Sequence, residues 1–152
     1  LLDRALALGP ACLFLSFGDP RPHAPRIHAA GVPLICQLQR VADLEHALAA
    51  GAVAIVAQGT EAGGHGGARA TLPLVVELAD ALAARSPETL LLAAGGIADG
   101  RGLAAALMLG ADGVVVGTRL WAAHEALTHE AAIARALPAS GDDTLRTRVI
   151  DA

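Results

Sequence analysis

The stretch "AVAIVAQGTEAGGHGG", residues 52–67, joins six apolar residues to a loop that is half glycine. "AVAIVA" carries no charge and no apolar/polar alternation, so it reads as a strand covered on both faces. Such strands belong to parallel sheets flanked by helices. In the next ten residues, 58–67, five are glycine, with one histidine, His65, and one carboxylate, Glu61. The carboxyl end of a parallel strand is where these architectures place their sites.

The same pattern repeats outward. "ACLFLSFGDP" (11–20) is an apolar strand ended by Gly and Pro, and "RPHAPRIHAAG" (21–31) a short helix. "VPLICQLQ" (32–39) is a second strand. "VADLEHALAAG" (41–51) has Val41, Leu44 and Leu48 at helical spacing and Gly51 as C-cap. After strand three, "TLPLVVELADALAA" (71–84) predicts a helix with Thr71 as N-cap. "TLLLAAGG" (89–96), "DGRGLAAALMLG" (99–110, capped by Asp99), "DGVVVGT" (112–118) and "THEAAIARAL" (128–137) add strand, helix, strand and helix. The tail 138–152 reads as polar and irregular. Helix-to-strand segments are short. The segments that leave strands are longer and hold most of the Gly, His, Asp and Thr. Five βα units suit either an open doubly wound sheet or part of a barrel, whose full form needs about 250 residues.

Composition narrows the function. The 152 residues are 54% hydrophobic, 17% charged and carry net charge −4. That excludes disorder and gives no basic footprint for nucleic acid or an anionic membrane. All eleven basic residues are Arg, which removes lysine Schiff bases, and tyrosine is absent. No apolar run approaches the ~20 residues of a membrane helix. Cys12 and Cys36 stand alone in apolar runs and read as buried free thiols of a reducing, cytoplasmic setting.

Two constellations carry chemistry. "AAGGIADGRG" (93–102) and "VVVGTRLW" (114–121) are glycine turns at successive strand ends, fit to close around a phosphate with a helix N-terminus behind. The other is the opening loop. Its glycines let backbone approach a flat ligand, and His65 is presented at the strand end, able to move a proton near neutral pH. Glu61 reads as a hydrogen-bonding scaffold rather than a base. His28 and His46 fall on outer helices and read as solvated. His124 and His129 in "HEALTHE" do not have the zinc-protease spacing, and no metal site is expected.

Taken together these motifs resemble the nitronate monooxygenase (2-nitropropane dioxygenase) family. "AQGTEAGGHGG" resembles its histidine signature, and "AAGGIADGRGLAAALMLGADGVVVGTRLWAAHEA" its flavin-phosphate half. The resemblance implies an α/β fold of TIM-barrel type, incomplete. Its five parallel βα units would be strands four to eight, in one partial domain over 1–152. It implies His65 as the catalytic residue. It implies FMN bound by Gln58, Ala62, Gly63, Gly64, Ala94, Gly95, Gly96, Gly117 and Thr118. The implied chemistry is oxidation of an alkyl nitronate through FMN, reoxidised by O2, to a carbonyl compound and nitrite.

About three βα units that precede the first strand in the family have no counterpart here, and two parallel edges are expected to stand open. The missing units are then supplied elsewhere, or a second copy pairs as a homo-oligomer, or the fragment is inactive alone. A flavin-dependent enoyl-acyl-carrier-protein reductase using NAD(P)H, which shares a similar Glu-x-Gly-Gly-His loop, and a non-catalytic barrel fragment are the alternatives.

Overall fold

The computed structural model describes residues 1–147 and 149. Strands β1 (Leu13–Ser16), β2 (Leu34–Leu38), β3 (Ala54–Gln58), β4 (Leu90–Ala94) and β5 (Gly113–Val115) form one sheet in the order β1-β2-β3-β4-β5. Every neighbouring pair is parallel. Helices alternate with them: α1 (Leu2–Leu6), α2 (Ala24–Ala29), α3 (Leu44–Ala49), α4 (Thr71–Arg85), α5 (Gly100–Met108), α6 (Thr118–Trp121) and α7 (Glu130–Ala136).

Sequential strand order decides between the two architectures. A doubly wound sheet reverses direction at a switch point, which puts helices on both faces. Here nothing reverses, and the crossover helices α2, α3, α4 and α5 share one core on the same side of the sheet. The arrangement is that of a TIM-type barrel, in part.

Side-chain alternation separates the two faces. Cys36, Ile55 and Leu91 pair across β2, β3 and β4 and belong to the helix-side core. Leu44, Leu74 and Leu78 from α3 and α4 meet them there, and all are essentially inaccessible. Each such leucine contributes about 1.5–3 kcal/mol through burial. Burial also pushes the Cys36 thiol up to about 11, so it stays protonated and unreactive. The other face carries the rows Phe14–Ile35–Ala54–Leu90 and Ser16–Gln37–Val56–Leu92–Gly113. Its lower row ends in Phe14 and Leu90, 44% and 51% exposed. The strands are therefore sealed by helices on one face only, not on both as their composition suggests.

Several local expectations change. Thr71 does not cap α4. Ala70 is the N-cap residue, and the Thr71 hydroxyl is engaged elsewhere. Cys12 is exposed rather than buried. His28 is exposed but bonded, its Nε2 lying 2.9 Å from the Ala50 carbonyl oxygen. His46 is half-buried beside the carboxyl end of β2. The strand read over 112–118 stops at Val115, because Thr118 opens the short helix α6. The expected irregular tail holds a 3-10 turn, Gly141–Asp143. Its residues 148 and 150–152 lie outside the described ones.

One contact fixes how α4 leaves β3. A Cβ at Gly59 would stand 2.0 Å from Thr71 Oγ1 and 2.5 Å from its backbone Cα and N. Only a glycine lets the end of β3 lie against the first turn of α4. Gly59→Ala is expected to cost about 2–3 kcal/mol, read as a lower denaturation midpoint. An unchanged midpoint would refute the close approach.

Candidate active site

The carboxyl ends of β1, β2 and β3 carry a chain of neutral polar side chains. Gln37 Nε2 donates to Ser16 Oγ at 2.9 Å. Gln39 Nε2 lies 3.4 Å from the same oxygen and donates to Gln58 Oε1 at 2.7 Å. Gln58 Nε2 in turn donates to the His65 carbonyl oxygen at 3.0 Å. Gln39 and Gln58 are buried, so each amide needs these partners. The chain pins the backbone of the histidine loop to the floor of the barrel.

A second set of bonds closes the loop from the other end. Glu61 accepts from the Thr71 amide at 3.0 Å and from Thr71 Oγ1 at 2.7 Å. Thr71 Oγ1 also lies 3.3 Å from the Gly95 carbonyl oxygen, which ties β4 into the same knot. Burial raises the Glu61 carboxyl pKa. Bonds from the Thr71 hydroxyl and from backbone amides outweigh it, so the group titrates below its ordinary range. Glu61 therefore acts as a scaffold, and it supplies the cap that Thr71 was expected to provide.

The nine residues read as flavin-binding come together. Gln58, Ala62, Gly63, Gly64, Ala94, Gly95, Gly96, Gly117 and Thr118 all line one cavity of about 710 Å3. That volume lies in the range of small-molecule and cofactor sites. Gln37, Glu61, Ile97, Val115 and Trp121 line it too. Thr118 faces the histidine loop across it, its Oγ1 3.6 Å from where a Gly63 Cβ would stand.

The expected helix N-terminus behind the first glycine turn is not available to an anion. The Asp99 carboxylate already accepts from the Arg101 and Gly102 amides of α5. The donors lie in the turns themselves. Among the described residues, the amides of Gly96, Ile97, Gly117 and Thr118 reach no acceptor. A Cβ at Gly117, where φ is −100°, would meet no protein atom within 4 Å. Gly117 lines the cavity, so the space beside it is open. Unpaired amides and a Cβ-sized clearance suit a phosphate.

His65 stands apart from that cavity's lining. Its residue is exposed, and its ring packs edge-on against Phe17. Phe17, Gln37, Gln39, Gly66 and Gly67 line a second cavity of about 830 Å3, on the β1–β2 side of the histidine loop. Gln37 borders both cavities. Arg146, from the tail, donates from Nη2 to the Gly67 carbonyl oxygen at 3.1 Å.

The sequence reading missed Gln37, Gln39, Phe17 and Arg146. Two glutamines two apart at a strand end were a usable signal, since both must face one side. Arg146 lies 79 residues from Gly67, with no local signal to join them.

Because the folded Glu61 pKa is depressed, its stabilising contribution is present above the ordinary carboxylate range. It is lost as pH falls through the lower folded value. Glu61→Gln is expected to flatten the fall in stability between about pH 7 and pH 3. Denaturation midpoints across that interval test it, and parallel pH profiles for the two proteins would contradict it.

The family model described as nitronate monooxygenase matches residues 2–152. "Putative monooxygenase Rv1533" of Mycobacterium tuberculosis is 45% identical over 97% of this chain and 39% of its own length. A nitronate monooxygenase of Neurospora crassa is 47% identical over 68% of this chain and 29% of its own length. The chain thus spans well under half the length of these relatives. Among solved structures, FabK from Thermotoga maritima superposes with a TM-score of 0.89 at 32% identity, over 97% of this chain and 46% of its own. The chain belongs to the nitronate monooxygenase family.

Proposed function

We propose that this chain carries the FMN cradle and the catalytic histidine of an enzyme that oxidises alkyl nitronates with O2 to a carbonyl compound and nitrite. One observation carries the reading: all nine candidate flavin-binding residues line a single cavity at the carboxyl ends of β3, β4 and β5. The relative named nitronate monooxygenase supports the substrate class.

When bound, FMN supplies the electron acceptance and the reaction with O2. The remaining tasks fall to the chain. The amides of Gly96, Ile97, Gly117 and Thr118, with the Thr118 hydroxyl, hold the phosphate. Ala62, Gly63 and Gly64 leave one wall without bulky side chains, so a flat ring can lie against backbone. Gln58, braced by Gln39, holds the ring edge from the floor. His65 stands on the loop that borders that wall, where a ring N–H would donate to the anionic oxygens of a nitronate. Among the described residues no helix is long and apolar enough to cross a membrane. With the unpaired cysteines, we place the protein in the cytoplasm.

Two variants test the assignment. His65→Ala is expected to retain FMN and lose about 100-fold or more in turnover. Unchanged turnover removes His65 from the chemistry. Anaerobic mixing identifies the electron donor, since flavin bleached by NAD(P)H and not by nitronate would favour the reductase alternative.

Gly117→Ala is expected to leave the melting temperature little changed, because a Cβ there meets no protein atom within 4 Å. FMN affinity should fall about tenfold or more, as the side chain takes the phosphate's space. Equal FMN affinity in the two proteins, measured by fluorescence titration, would move the cradle elsewhere.

A further inference from the structure

Among the described residues nothing hydrogen-bonds the His65 ring; only its backbone oxygen is held, by Gln58. A histidine on a glycine loop turns freely about its side-chain bonds unless something restrains it. Among the described residues, Phe17 gives that ring its aromatic contact. The centroids are 6.3 Å apart and the planes 71° to each other, an edge-to-face pair within the favourable range.

Phe17 is itself unusual. It is the one non-glycine residue with positive φ among those described, at 63°. An aromatic L-residue rarely adopts that conformation, and such outliers collect where the surroundings or a function demand them. Core burial does not account for it, because Phe17 is 55% exposed. Gly18 follows at φ 76°, so two consecutive left-handed residues turn the chain at the end of β1. This turn brings the ring out to the β3 loop, 48 positions away in sequence, instead of leaving it on the sheet.

We propose that Phe17 is a positioning residue for His65. Its ring, carried by the strained turn after β1, restricts the imidazole to one orientation at the mouth of the site. The residue acts through His65, so the functional part of the proposal rests on His65 being the catalytic histidine.

Three substitutions separate the ring from the backbone. Phe17→Tyr keeps the ring, Phe17→Leu removes its aromatic character, and Phe17→Gly removes the side chain and relieves the left-handed strain. Proton NMR of the chain, without flavin, follows the carbon-bound ring protons of His65. Phe17→Leu and Phe17→Gly are expected to lose the inter-ring Overhauser contacts and the ring-current shift of those protons, and Phe17→Tyr to keep both. Phe17→Gly is expected to melt no lower than the parent. His65 ring resonances that superpose on the parent's in the Leu and Gly variants would overturn the proposal, and so would a lower melting point for Phe17→Gly. In flavin-loaded enzyme, the Leu and Gly variants are expected to lower kcat about tenfold, with KM and FMN affinity held within about twofold and Phe17→Tyr restoring the rate. A loss confined to KM or to FMN affinity also overturns it. If His65→Ala retains full turnover while the parent shows the inter-ring contact, the catalytic assignment fails and the ring contact stands, so the two failures are distinct.

Discussion

The Glu61 carboxylate bound to the amide and hydroxyl of Thr71 holds the site together. It ties together three segments that the β3–β4 ladder brings close. The loop after β3 supplies the carboxylate, and the first turn of α4 supplies the donors. The end of β4 lies within reach through the Gly95 carbonyl oxygen. A helix start with unpaired amides favours a negative charge beside it, which is why an acid serves here. Hydrogen bonding in turn keeps the carboxylate ionised, so it is a fixed strut and a poor proton carrier. Gly59 is the other half of the junction, since any side chain there would collide with Thr71.

From that knot the histidine loop is stretched toward β1 and β2. There its backbone is met by Gln58, and behind Gln58 by Gln39 and Ser16. Amide side chains both donate and accept, so a row of them satisfies itself without burying charge. A charged residue in that row would leave an ion in a low-dielectric floor. The neutral row suits a wall on which a flat, polar ring is held by its edges.

The site then divides along the loop. On the β4–β5 side lie glycine turns whose amides are unpaired among the described residues, suited to an anion. On the β1–β2 side lie the aromatic Phe17 and the tail residue Arg146, which bonds the Gly67 carbonyl oxygen. His65 is at the divide. One glycine-rich segment can serve both sides because it carries almost no side chains of its own.

Much of this was legible in residue order alone. Apolar runs alternating with amphipathic ones predicted parallel βα units, because the period of an apolar pattern is a local property of the chain. Glycines clustered at strand ends marked the cavity, because backbone clearance is a local property. Gly63, Gly64, Gly95, Gly96 and Gly117 could be picked out singly for that reason, whereas Gln58, Ala62 and Ala94 were named only through the family resemblance. Only the tertiary structure decided what depends on distance in space. Sequential strand order chose a barrel over a doubly wound sheet, since local pattern says nothing of which strands pair. Thr71 was taken from capping by a carboxylate ten residues upstream. Phe17 met His65 because a left-handed turn, which no residue preference for phenylalanine would suggest, brought the two rings together.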